Sequence, residues 1–301
     1  MAMSTRVCAR ITKGVRARRW VTGAALISLA ATAAACGGSA KSSSSPTTTT
    51  STSAATTSTT APRDATTVDV YFVRAQKLVA AGSGVPAPGT PESAVRALLA
   101  GPRAGVEHDL GFTSSIPAAT TLNGVDVTGT VATVDLSRSF ASGGGSQSMQ
   151  ARVAQVVFTV TQFPSIDAVR FRLDGTAVTS IGGEGLMVDR VGRDAFTNVT
   201  PAIMVESPTP GQSVRSTIHV RGIANTFERT VNYTLTDPAG VVLKESFTTG
   251  TGAAPGAWGP FAFDVSFTPT RTGLGTLTVY QISGENGSHN DVVSVPLQMQ
   301  G

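Results

Sequence analysis

Thr230-Val-Asn-Tyr-Thr-Leu-Thr236 and Val241-Val-Leu-Lys-Glu-Ser-Phe-Thr248 flank Asp237-Pro-Ala-Gly240, and this stretch decides the fold of the C-terminal half. Val231, Tyr233 and Leu235 alternate with Thr and Asn, the period-two pattern of a strand with one buried face. The linker is turn chemistry: Pro presets φ, Asp bonds back to the backbone, and Gly accepts positive φ. Working outward, strand-like runs recur at Ile203–Glu206, Thr217–Val220, Phe261–Phe267, Leu274–Ile282 and Val292–Leu297. Pro208-Thr-Pro-Gly211 and Gly284-Glu-Asn-Gly287 punctuate them, and no helical period intervenes. About seven short strands in about 100 residues predict an antiparallel sandwich over residues 201–299.

Upstream the pattern is mixed. Val68–Val73 reads as a strand. Thr90-Pro91-Glu92 opens a helix, with Thr as N-cap, Pro at the first helical position and Ala94, Val95, Leu98 and Leu99 as the apolar face; Gly101-Pro102 stops it. Val125–Leu136 reads as two strands turning at Thr128-Gly129, with Val125, Val127, Val131 and Leu136 sharing a buried face. A second helix runs over Ser146–Gln162 on Met149, Val153, Val156, Val157 and Val160. Ala168–Leu173 is a further strand, turning at Asp174-Gly175. Residues 67–197 are therefore expected to form an α+β domain, a mixed sheet with two helices.

The N-terminus reads as an address. Residues 1–35 carry six basic side chains and no acidic one, then the uncharged run Trp20–Ala35 of 16 residues, too short for a spanning helix of about 20 residues. This predicts a signal peptide over 1–35. Ala33-Ala-Ala-Cys36-Gly-Gly38 resembles the bacterial lipobox, although the residue three before the Cys is usually Leu. Cys36 is the expected lipidation site, with the acyl chains (palmitate among them) holding the chain on the outer face of the cell membrane. Residues 36–66 follow as anchor and tether: 18 of the 30 residues from Gly37 to Thr66 are Ser or Thr. Such a segment buries too little apolar surface to offset chain entropy and is expected to be disordered, spanning roughly 30 Å as a coil.

With the chain's net charge of +4, the six basic residues of the leader matter. Without them 17 basic residues face 19 acidic ones, net −2, which lacks the footprint of phosphate-backbone binding. No nucleic-acid partner is expected. Cys8 falls in the leader, so no intramolecular disulfide is expected in the processed chain.

Residues 67–196 resemble the sporulation and spore germination domain called GerMN: the Val68–Val73 strand, the Glu92–Gly101 helix, Ile116-Pro117, Val131–Phe140, Gln155-Val-Val-Phe-Thr159 and Val169–Gly175 carry the match. Residues 202–298 resemble the immunoglobulin-like domain of bacterial spore germination proteins, through Ser207–Gly211, Val220-Arg-Gly-Ile-Ala224, Phe227-Glu228, Asp237–Gly240, Trp258-Gly-Pro-Phe261 and Val279–Ser283. The resemblance implies a bacterial envelope lipoprotein, including in species that never sporulate, and an immunoglobulin-like fold for the sandwich. It carries over no catalytic residues. Abundant Ala, Thr, Gly, Val and Arg with few Lys suits a high-GC Gram-positive source.

The candidate chemistry is sparse. His108, His219 and His289 lie too far apart in sequence for a local metal-ligand spacing, and neither a metal nor any cofactor is expected. A Ser–His–Asp triad is set by geometry and stays open, but no Gly-x-Ser-x-Gly elbow is present. Gly182-Gly-Glu-Gly185 resembles a phosphate loop without its Lys-Ser/Thr and reads as a turn. Glu285, Asn286, Asn290 and Asp291 could offer oxygens to calcium, although the default is a hairpin. Asp126 and Asp135 are a carboxylate pair of glycosidase type only if they converge. Trp258 and Phe261 are the possible ligand or partner contacts, against a reading in which they fill the sandwich. The expected function is that of a non-catalytic lipid-anchored envelope protein that scaffolds or regulates other envelope proteins. The alternatives are a module binding peptidoglycan or another wall glycan and, more distantly, an envelope hydrolase.

Overall fold

The computed structural model describes residues 64–252 and 256–301. The leader, Cys36 and the tether up to residue 63 lie outside the described residues. The described residues open with a long antiparallel hairpin, β1 (Ala65–Arg74) and β2 (Lys77–Pro86), turned by Ala75 and Gln76 in the left-handed region. Helix α1 (Pro91–Leu99) begins at Thr90, whose hydroxyl accepts from Ser93 N–H (3.1 Å) while Ser93 Oγ accepts from Thr90 N–H (2.8 Å). This reciprocal capping satisfies two donors that a helix start otherwise leaves open. Ala94, Val95 and Leu98 face inward.

Strands β3 (Leu122–Thr128) and β4 (Val131–Leu136) form a second hairpin. Helix α2 (Ser146–Val160) then crosses over to β5 (Ala168–Leu173), which lies parallel to β4, and β6 (Thr176–Val178) closes the sheet in the order β3-β4-β5-β6. A parallel pair requires such a crossover, and α2 supplies it. The buried row of β4 is Ala132, Val134 and Leu136, whereas Val127 is exposed and Val125 and Val131 are half-buried. The expected buried face is therefore met at Leu136 and out of phase at Val125, Val127 and Val131. A one-residue shift exchanges the two faces of a strand, and β4 carries a valine on each face, Val131 and Val134, which leaves that phase open.

α2 also completes β1. Among the described residues, the β1 edge turned away from β2 has no neighbouring strand over most of its length; instead α2 and the residues just beyond it bond to it. Gln155 Nε2 donates to Tyr71 O (2.9 Å), Thr159 Oγ1 accepts from Tyr71 N–H (3.3 Å), and Gln162 exchanges bonds with both Asp69 N–H (2.7 Å) and Asp69 O (2.5 Å). Val73 pairs with Thr113 through both backbone groups. Gln155 and Thr159, one helical turn apart, are fully buried. Leaving these edge groups unpaired would cost about 1–3 kcal/mol each, so a polar face on an otherwise apolar helix stabilises the fold.

The second half is the sandwich. β7 (Ile203–Ser207), β8 (Ser213–Val214), β9 (Thr217–Ala224), β10 (Thr230–Thr236), β11 (Val242–Thr249), β12 (Gly259–Ser266), β13 (Gly273–Ile282) and β14 (His289–Met299) divide into two sheets. The sheets run β8-β14-β13-β10-β11 and β12-β9-β7. Val231, Tyr233 and Leu235 point into a core with Val220, Val265, Leu277 and Leu297. Gly222 marks the closest approach: a Cβ there would strike Met204 O and come within 2.7 Å of the Phe261 ring, which explains a glycine beside the β9 bulge. The protein is thus an α+β domain followed by an immunoglobulin-like sandwich.

Candidate functional site at the domain junction

On β1, Asp69 and Tyr71 share one face because they are two residues apart. On β7, Met204 and Glu206 point away from the sandwich core that holds Ile203 and Val205; Met204 joins the core of the first domain. The hairpin face and the outer face of the three-stranded sheet therefore pack together. At their contact sits a cluster of ionisable groups that a close reading of single motifs does not reveal.

Glu206 Oε1 accepts from the Tyr71 hydroxyl (2.5 Å) and from Arg193 Nη1 (2.8 Å), and its Oε2 accepts from Arg221 Nη1 (3.0 Å). Arg221 also donates to Asp69. Arg193 bonds Thr161 Oγ1 (2.9 Å), Phe158 O (3.2 Å) and the Tyr71 oxygen (3.2 Å), and its guanidinium lies 4.7 Å from the Phe158 ring centroid. Asp69, Tyr71 and Glu206 are buried. Burial pushes the Asp69 carboxyl above its ordinary value despite the pull of Arg221. Burial, reinforced by the Glu206 carboxylate, raises the Tyr71 phenol well above its own. Burial would lower the Arg193 and Arg221 guanidiniums, but their anionic partners hold both above the ordinary value. A cleft of about 580 Å³ opens beside the cluster, and Asp69, Glu206, Arg221 and Arg103 are among its lining residues. Arg103 is itself tied to buried Glu107 through Nε (2.8 Å) and Nη2 (2.6 Å).

The residues singled out from sequence lie elsewhere. Phe261 is only 3% exposed and stacks toward Phe263 in the sandwich, so it is removed from the surface and cannot serve as the expected contact. Trp258 is half-buried and its indole N–H donates to Pro201 O (2.7 Å), which fixes it at the junction. Cys36 lies outside the described residues. His108 sits beside Asp109 (3.8 Å), His219 bonds Asp264 (2.6 Å), and His289 stacks on Tyr280 (3.9 Å). Among the described residues no group of three or more His, Cys, Asp or Glu is placed to hold a metal ion. Asp126 faces Arg172 (3.8 Å), whereas Asp135 accepts from Gly175 N–H (3.1 Å). Asn286 and Asn290 bond Ser288 within the β13–β14 turn, and Asp291 bonds Gln281. Gly182 is in the left-handed region of a short hairpin, Ser180–Ile181 with Leu186–Met187.

The described residues thus hold a mixed-sheet α+β domain joined through a buried ionic junction to an immunoglobulin-like sandwich. Residues 61–179 match the Germane family, described as sporulation and spore germination, and residues 202–288 match Gmad2, the immunoglobulin-like domain of bacterial spore germination. The chain carries a GerMN-type domain followed by this immunoglobulin-like domain. Among solved structures, the first GerMN domain of the sporulation protein GerM from Bacillus subtilis is 26% identical, with 43% of this chain and 98% of that chain covered and a TM-score of 0.34. The tandem GerMN domains of the same protein are 20% identical over 67% of this chain and 62% of that one (TM-score 0.37). A Clostridium perfringens protein bearing the name "Putative Lipoprotein" is 22% identical over 46% and 93% respectively (TM-score 0.32). No curated protein matches the chain.

Proposed function

We propose that the chain is a non-catalytic, lipid-anchored cell-envelope protein that scaffolds or regulates other envelope proteins through protein–protein contacts. The junction carries this reading. Asp69, Tyr71, Glu206 and Arg221 bond within one cluster, Arg193 adds bonds from it to Thr161 and Phe158 O, and together they join the two domains into one block that presents a composite surface. Phe196 and Val199 support it by burying the interdomain join in the first domain's core, with Leu78 N–H bonded to Val199 O (2.7 Å). Cys36 supplies the anchor and the segment from it to the start of β1 the reach. The wall-glycan alternative loses one of its two aromatic residues to the sandwich core.

The test is photo-cross-linking in intact membranes, with a photoreactive side chain in place of exposed Phe247. Reproducible adducts with envelope proteins, diminished in a Cys36→Ser background, are expected. Absence of adducts, together with saturable sedimentation of the chain with purified wall, would transfer the function to glycan binding.

A further inference from the structure

A groove of about 360 Å³ runs between the first domain and the open side of the sandwich, walled by Leu78 and Ala80 of β2, Met204 of β7, and Val292 and Ser294 of β14. Three strand edges meet there. Among the described residues, β7 ends the three-stranded sheet, β2 pairs only with β1, and β14 borders the five-stranded sheet with only its last residues covered by β8. The backbone phase can be read from bonds already made. On β1 the amides of Asp69, Tyr71 and Val73 turn away from β2, so their register partners Gly82, Ala80 and Leu78 turn away from β1. Of these, Leu78 N–H reaches Val199 O. On β14, Pro296 O accepts from Gly211 N–H (2.8 Å) and Gln298 N–H donates to Gln212 O (2.9 Å), so the even-numbered row faces outward. Ser294 is the next member of that row. It is exposed, the same phase turns its backbone N–H and C=O away from β13, and among the described residues neither group makes a backbone bond outside the sheet ladder.

The groove's lining is mainly aliphatic and its mouth is cationic. Lys77 Nζ is held by Asn198 O (2.8 Å), while exposed Arg74 pairs with no carboxylate among the described residues. An unpaired strand edge, apolar walls and a free cation together fit one kind of occupant. We propose that this groove docks an extended segment of a partner protein, apolar at alternate residues and bearing an acidic side chain opposite Arg74, which adds as a strand to β14 at Ser294. Main-chain bonds supply the affinity in this mode, and alternate side chains supply the selectivity. The inference rests on the protein-binding reading above and names the surface and the partner's chemistry.

The probe is a pair of seven-residue peptides of alternating Val and Thr with one central Glu or one central Lys, added to the full chain. The Glu peptide is expected to bind about tenfold more tightly than the Lys peptide, because a partly desolvated charge rejects its like. Binding should slow hydrogen exchange at the Ser294 amide. Ser294→Pro removes that donor on an edge already tolerant of Pro296, and should weaken binding about fivefold to tenfold, whereas Ser294→Ala keeps the donor and should bind as wild type. Unchanged exchange at Ser294 overturns the proposal. So does wild-type affinity in Ser294→Pro, or protection of Ser294 by self-association without peptide. A photoreactive residue at position 294 separates the two readings. Adducts from 247 but not 294 overturn the groove alone, and adducts from neither overturn both.

Discussion

Replacing Arg193 by Met tests whether the ionic junction holds the two domains together. The Met stem keeps much of the packing over Phe158 but removes the bonds to Glu206, Thr161, Phe158 O and the Tyr71 oxygen. Breaking one partner out of a buried pair typically costs about 3–5 kcal/mol. Two features of the site place this case at the lower end. Glu206 keeps Arg221, and the Arg193 side chain is 26% exposed, so some water replaces the lost donors. The expected loss is about 3 kcal/mol, which for a chain of this size is a fall in Tm of about 6–12 °C. The assay is denaturant unfolding of the full chain in a Trp20→Phe background, which leaves Trp258 as the sole tryptophan. Trp258 reports on the junction directly, since its indole N–H is bonded to Pro201 O. Wild type should lose this signal together with the secondary structure, and Arg193→Met should lose it earlier. Arg193→Lys should resemble Met more than wild type, because a single ammonium cannot span the four acceptors that the guanidinium fork reaches. A loss under about 1 kcal/mol with coincident transitions would refute the reasoning.

Four further perturbations have defined outcomes. Gln155→Leu strands Tyr71 O in the core and the half-buried Ser115 N–H beside it, and should cost about 2–4 kcal/mol by chemical denaturation. Gly222→Ala drives a methyl into Met204 O and the Phe261 ring and should separate β7 from β9, read as lost amide protection at Ile203–Ser207. Asp69 binds its proton more tightly folded than unfolded, so just above its ordinary value of 3.8 the native state holds more protons and stability falls as pH rises; Asp69→Asn should abolish that segment of the pH–stability curve. Asp237 behaves oppositely. Bonds from Thr270 Oγ1 and from Val241 and Ala239 N–H hold its carboxyl below 3.8, so its contribution is lost as pH falls below that value, and Asp237→Asn should flatten only the acid limb.

The sandwich was legible because each strand carries its own alternation and its own turn residues. Thr230–Thr236 was predicted and observed over the same residues, and Asp237 caps its turn through the bonds that its sequence position implies. β2 escaped. Lys77-Leu-Val-Ala-Ala-Gly-Ser-Gly-Val-Pro86 has two glycines, three small residues and a terminal proline, and none of these signals a strand. Its structure is imposed by a ten-residue register with β1, a tertiary effect. The junction escaped for a related reason. Asp69, Tyr71, Arg193, Glu206 and Arg221 are up to 152 residues apart, and each alone reads as an ordinary polar residue on a strand or turn. One signal was available: Glu206 follows the apolar run Ile203-Met-Val205, whose alternate members Ile203 and Val205 fill the sandwich, so the face carrying Met204 and Glu206 needed a partner of its own.

That two-sided strand connects the architecture to the proposed role. β7 gives Ile203 and Val205 to one core and Met204 to the other, so neither domain can shed it without exposing apolar surface. The ionic cluster adds direction to this adhesion, because hydrophobic contact alone tolerates sliding whereas Glu206 must meet Tyr71, Arg193 and Arg221 together. Fixing β7 against the hairpin also fixes the groove, whose walls come from β2, β7 and β14. If the junction loosens, those edges lose their spacing and an added strand loses its second wall. Arg193→Met should therefore weaken the Glu peptide even though Arg193 is not among the groove-lining residues. Undiminished peptide binding by a variant whose junction has opened would mean that β14 alone forms the docking edge.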